Sequence, residues 1–150
     1  MTRLHSRDQL LHLVPELAAL DREAGWVEFK TNNVDPEMIG KTISALANSS
    51  ALEGQPFGYL IWGIEDRTHA IVGTTADPEN EKYGNEELTN WLAHMLEPQT
   101  HFEFTTLSVG AVRTVVLTIA AAAFQPIQFQ GKSYVRVGSY TKALSKHPEH

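Results

Sequence analysis

Leu10, Leu13, Leu17 and Leu20 recur at the spacing of one helix face, and Ser6 with Gln9 three residues later forms a capping-box pattern, so a first helix is expected over 7–22. Gly25 breaks it. Alternation of apolar and charged positions then predicts a strand over 26–30, with Val27 and Phe29 on one face and Glu28 and Lys30 on the other. Asp35-Pro36-Glu37 reads as a helix start with proline in the first turn. The stripe Ile39, Ile43, Leu46 and Ala47 carries that second helix to about Asn48-Ser49-Ser50. The run over 57–64 is apolar on both faces and rich in Tyr, Trp and Ile, the pattern of a central buried strand, and 70–74 is expected to return as its neighbour. A polar loop over 76–85 precedes a third helix, capped by Asn85, buried through Leu88, Trp91, Leu92 and Met95, and closed by Pro98. Three more strands fit 102–109, 112–120 and 127–137, the last in two parts around a Gln130-Gly131-Lys132 turn.

Helices and strands in this order indicate an α+β fold: one domain with a mixed, mostly antiparallel sheet of about six strands and two or three helices packed on it. The length of 150 residues suits a single domain, and 42% apolar with 20% charged residues is an ordinary globular balance. There are no internal repeats or low-complexity segments. The polar tail from Ser139 has no closing element, which suggests the N-terminal part of a longer protein. The longest apolar runs, 59–64 and 115–124, fall short of the roughly 20 residues that cross a bilayer, and no signal-peptide core is present, so a cytoplasmic protein without a membrane partner is expected. Zero cysteines excludes disulfides, thiolate zinc sites and a cysteine nucleophile.

The net charge of −6 counts against binding nucleic acid by bulk attraction. Its distribution changes that picture. From Phe104 to Pro148 there is no Asp or Glu, while Arg113, Lys132, Arg136, Lys142 and Lys146 all lie there, so a basic face on an acidic protein is one reading and a set of solvated strand lysines the other.

Three acids invite a chemical reading. Glu23 at the end of the first helix and Glu28 on the following strand approach across the Gly25 turn, and Asp66 emerges from the end of the central strand. With those strands paired, the acids meet at one end of the sheet, where hard carboxylate oxygens suit Mg²⁺ or Mn²⁺. Such an ion polarises a phosphodiester, and Lys30 offsets charge developing on the phosphate, so Glu23, Glu28, Lys30 and Asp66 form a candidate catalytic set. Glu28 and Lys30 are equally a solvated strand face. The partner acid also follows the acid-x-Lys strand instead of preceding it, unlike the common restriction-type order.

Taken together, "VEFK" (27–30), "IGKTISALANSS" (39–50), "GYLIWGIED" (58–66), "AIVGT" (70–74), "QPIQF" (125–129) and "YVRVGSYT" (134–141) resemble the Schlafen AlbA-type domain, in the right order over nearly the whole chain. That domain is assigned to DNA binding and occurs in bacterial proteins labelled RecG-like helicases or transcriptional regulators. In animal Schlafen proteins the related domain is an RNase core that cuts transfer and ribosomal RNA with three acids. The resemblance implies that Glu23 and Glu28 match the two acids around the first strand, Asp66 the one after the central strand, and Lys30 the lysine closing the first-strand motif. Two departures stand out: Ser49-Ser50 and an insertion over 51–56 replace the family's usual Gly pair, and a Cys/His zinc set cannot exist here. The animal proteins grip RNA between two related lobes, so a single lobe implies a homodimer or another binding mode.

The segment "RVGSYTK" places Arg136, Ser139 and Lys142 around a turn whose backbone N–H groups can meet a phosphate, and with Lys30 these form the candidate nucleic-acid contacts. Tyr59, Trp62 and Tyr134 are candidates for stacking on bases, although Trp62 lies inside the buried run and reads as core. The seven His are scattered without zinc spacing. Lys41-Thr42 lacks the upstream glycine of a phosphate-binding loop and falls inside the second helix, which rejects ATP binding through it. The expectation is therefore a domain that binds DNA or RNA, within a bacterial transcriptional regulator. The alternatives are a metal-dependent endoribonuclease and a ligand-sensing or self-association module that leaves nucleic acid to another region.

Overall fold

A computed structural model describes residues 3–20, 24–138 and 140–144. In chain order the elements are α1 (Arg7–Ala18), β1 (Val27–Lys30), α2 (Pro36–Leu52), β2 (Phe57–Trp62), β3 (Lys82–Tyr83), β4 (Glu86–Glu87), α3 (Leu88–Met95), β5 (Leu96–Glu97), β6 (Phe102–Val109), β7 (Val112–Ala120), β8 (Gln128–Phe129), β9 (Lys132–Val137) and β10 (Tyr140–Ala143). The architecture is α+β, as expected. Instead of one sheet of about six strands, the described residues form two four-stranded sheets, β1-β2-β7-β6 and β10-β9-β8-β5, with β3-β4 as a separate small hairpin. Every strand pair is antiparallel except β1 with β2. No described helix is long and apolar enough to cross a membrane.

The first sheet separates two cores. On one face Leu10, Val14 and Leu17 of α1 pack on Val27, Phe29, Tyr59, Ile61 and Val116. On the other, Ile39, Ile43 and Leu46 of α2 and Leu88, Trp91 and Leu92 of α3 cover Leu60, Trp62, Val115, Leu117 and Ile119. The second sheet lies on α2, which is therefore covered on both sides; every residue from Thr42 to Ser50 is buried. Burial explains why α2 outruns its expected end: Ser44, Asn48 and Ser49 find partners across the interface with β9 and the chain before β8, so they do not turn back to break the helix.

Several boundaries differ from the reading of the sequence. α1 keeps the Ser6–Gln9 capping box but ends at Ala18, leaving Leu20 exposed instead of in the stripe. β2 stops at Trp62 because Gly63 adopts φ +106°, a conformation open to glycine and strained for side chains. Segment 70–74 meets the end of that run through a single Ile64–Ile71 bridge, and β7 is the true antiparallel neighbour of β2. Glu87, not Asn85, stands at the N-cap of α3, because Asn85 sits in the turn between β3 and β4. The tail does carry a closing element: β10 folds back on β9 across Gly138, which has φ +61°. The expected strands 102–109 and 112–120 are found with the same boundaries, paired as an antiparallel hairpin.

Tyr59 on β2 faces the α1 core, 5% exposed, with its hydroxyl 2.7 Å from Nε2 of His5. Burial pushes its pKa up to about 12 from 10.0. Below pH 10 the phenol is protonated both folded and unfolded; above it the unfolded chain ionises first, so stability falls as pH rises from 10 towards 12. A phenolate absorbance titration is expected to show a late step towards pH 12 that Tyr59→Phe removes; a titration in which Tyr59→Phe removes no late step contradicts it.

Candidate nucleic-acid interface

Parallel pairing with register Glu28–Leu60 and Lys30–Trp62 turns Glu28 and Lys30 towards the α2 side of the sheet, while Val27 and Phe29 face α1. β1 is an edge strand of its sheet. At that edge the β9–β10 hairpin comes down on α2, held by side chains of the helix. The Ser44 hydroxyl donates to the Ile127 carbonyl (2.7 Å) and accepts from the Tyr134 N–H (3.0 Å). The Asn48 amide donates to the carbonyls of Ile127 (3.0 Å) and Tyr134 (2.8 Å) and accepts from the Ile127 N–H (2.7 Å). The Arg136 N–H donates to Ser49 Oγ (2.9 Å). These bonds fix β9 so that Arg136 passes beneath the hairpin to Glu28.

The centre of the site is that ion pair. Arg136 Nη1 donates to Glu28 Oε1, and Lys30 Nζ lies 3.2 Å from Glu28 Oε2. The Arg136 side chain is 1% exposed, Glu28 11% and Lys30 31%. Above them opens a groove of about 430 Å³ whose lining includes Glu28, Lys30, Lys41, Thr42, Tyr134 and Tyr140. Two further acids border it, each engaged in the fold: the Asp35 carboxylate accepts from the Met38 N–H (2.9 Å) as the α2 cap, and Glu37 accepts from Gln130 (3.3 Å). Lys41 is exposed, its Nζ 6.0 Å from the centre of the Tyr134 ring.

The expected residues are only partly brought together. Glu28, Lys30 and Arg136 meet, with Arg136 as a buried partner of Glu28 instead of a surface cation. Lys142 is exposed, pairs with Val135 and does not line the groove. Asp66 stands exposed in a turn docked on the α1 side: in it Glu65 accepts from the Thr68 N–H and hydroxyl and from the Arg67 N–H, which lowers its pKa, and His69 packs on Phe29 and lies 3.0 Å from the Leu20 carbonyl. The sheet therefore separates that turn from Glu28. Glu23, Ser139 and Lys146 lie outside the described residues.

Nor is the acid-free stretch a continuous basic face. Arg113 clasps the chain through the Thr74 and Ala76 carbonyls, at 3.0 and 2.6 Å. Of the stacking candidates, Tyr59 and Trp62 are core, Trp62 donating to the Asn33 carbonyl at 2.7 Å, and Tyr134 lines the groove. Reading the sequence missed Lys41, set aside with the phosphate-loop motif, and Tyr140, placed in a tail. It also missed the buried polar set Ser44, Asn48 and Ser49. The signal for that set was available: from Thr42 to Leu52 the helix carries no charged residue, which marks a helix without a solvent face.

Among the described residues no group of three His, Cys, Asp or Glu side chains stands close enough to hold a metal ion. Glu28 is paired with Arg136 and Lys30, and Glu23 of the expected metal set lies outside the described residues.

A family model described as Schlafen, AlbA_2 matches residues 23–145. No curated protein matches the chain. Among solved structures, the DIP2311 protein from Corynebacterium diphtheriae superposes with a TM-score of 0.58 at 23% identity, over 92% of this chain and 27% of its own, a likeness of fold. The N-terminal domain of a RecG-related protein from Nitrosomonas europaea superposes with a TM-score of 0.51 at 25% identity, over 93% of this chain and 95% of its own. The chain thus spans about a quarter of the first relative and nearly all of the second.

Proposed function

The chain belongs to the Schlafen AlbA_2 family, and on that premise we propose that it is a nucleic-acid-binding module of a bacterial transcriptional regulator, with the groove between β1, α2 and the β9–β10 hairpin as its contact surface. The observation that carries this reading is the charge accounting of the groove. Arg136 and Lys30 both lie against Glu28, Asp35 and Glu37 keep their charge while bonded within the fold, and Lys41 stands exposed beside the Tyr134 ring, so Lys41 is the cation a phosphate backbone meets first. Likeness to the N-terminal domain of a RecG-related protein supports the same reading. A pair of copies is our reading of how one lobe grips a folded nucleic acid.

The test is fluorescence anisotropy of labelled transfer RNA and duplex DNA against the purified chain. With two phosphate contacts, affinity is expected to drop about tenfold between about 50 and 200 mM salt, and Lys30→Gln with Lys41→Gln removes most of that dependence. Absence of salt-dependent binding to either nucleic acid overturns the reading in favour of a sensing or self-association module. The same mixtures run on a denaturing gel with Mn²⁺ or EDTA address cleavage: metal-dependent cutting lost in Glu28→Gln makes the groove a nuclease site.

A further inference from the structure

We propose that the groove takes single-stranded nucleic acid, with one splayed base stacked on Tyr140 and the adjoining phosphate on Lys41; this rests on the nucleic-acid reading above and deepens it. Three observations meet here. Tyr140 is 76% exposed at the start of β10, a large aromatic held at the groove mouth by the hairpin instead of being buried in a core. Tyr134 lines the same groove from β9, half-buried, with the Lys41 ammonium 6.0 Å from its ring centre, so an aromatic floor and a cation already stand side by side. The groove volume of about 430 Å³ is enough for a nucleotide.

The chemistry follows from what each group offers. A tyrosine ring presents a π-face that any base can cover, so recognition by Tyr140 is tolerant of sequence, and an unstacked base is available in a single strand but not inside a duplex. The Lys41 ammonium is a mobile point charge with three donors, suited to a phosphate oxygen without fixing its orientation. Thr141 also lines the groove and adds a hydroxyl at its edge. Glu28 repels phosphate less than its charge suggests, because Arg136 and Lys30 both lie against it.

Anisotropy with a fluorescein-labelled twelve-nucleotide oligouridylate, the matching oligothymidylate and a duplex of the same length tests this on the whole chain. The single strands are expected to bind more tightly than the duplex. Tyr140→Ala weakens strand binding about tenfold, and Tyr140→Phe restores it, since the ring and not the hydroxyl stacks. Tyr140→Ala leaves the salt dependence unchanged, whereas Lys41→Gln reduces the slope of log affinity against log salt by about 0.7. Because Tyr140 is exposed, circular dichroism of Tyr140→Ala matches the parent. Duplex binding equal to or tighter than strand binding, or strand binding indifferent to Tyr140→Ala, overturns the proposal while the broader reading stands. Salt-independent failure of every probe to bind overturns both.

Discussion

Glu28→Ala lowers the stability of the domain by about 3 kcal/mol, because it takes from the buried Arg136 guanidinium a carboxylate to which it donates. For a chain of this size that is a fall of about 10 °C in Tm. Lys30→Met costs much less, since the Lys30 side chain is 31% exposed and water solvates what it loses. Glu28→Gln is intermediate: its amide oxygen still accepts from Arg136, but without charge. Thermal unfolding of the three variants, followed by circular dichroism, checks the order; equal stability of Glu28→Ala and the parent contradicts a structural role for the pair. The ordering also governs functional assays. Loss of activity in Glu28→Ala reports unfolding as readily as chemistry, so Glu28→Gln is the informative substitution at this position.

Asn48→Ala is the second large effect. The Asn48 side chain, 5% exposed in its residue, donates to two carbonyls and accepts one N–H from a segment about 80 positions downstream. Truncation leaves the Ile127 N–H buried without that acceptor, and an unmet buried group costs about 1–3 kcal/mol beyond the bonds themselves. A loss of about 3 kcal/mol is expected, with Asn48→Asp no better, because a carboxylate cannot donate to the Ile127 and Tyr134 carbonyls. Urea unfolding measures the change in midpoint. The decisive comparison is hydrogen exchange: protection of the β9 amides drops in Asn48→Ala while β6 and β7 keep theirs. Uniform loss across both sheets contradicts the idea that Asn48 ties down the hairpin in particular.

Alternation and turn residues were enough for much of the fold. β6 and β7 were legible because they are long, alternate cleanly and meet at Gly110, and the Gln130-Gly131 turn between β8 and β9 was legible because both residues adopt positive φ, at 52° and 84°. What failed has a common cause: the environment of a polar residue is not written in its identity. Glu28 and Lys30 do share a face, as alternation required, but that face is roofed by the β9–β10 hairpin instead of open water. β10 itself was hidden because Tyr140, Thr141 and Lys142 form too short a run. Asp66 was expected beside Glu28 from strand adjacency alone, and the turn after Ile64 folds towards α1 through His69.

The ties from α2 to the hairpin join residues far apart in the chain: Ser49 meets Arg136 and Glu28 meets Arg136 across separations of 87 and 108 positions. Contacts of such range carry a large loop-closure entropy and form late. On the ribosome, β1 and α2 leave the exit tunnel long before β9 exists, so the emerging chain holds a helix with an uncovered seam of serine and asparagine and no groove. The groove between β1, α2 and the hairpin therefore forms only once β9 is in place.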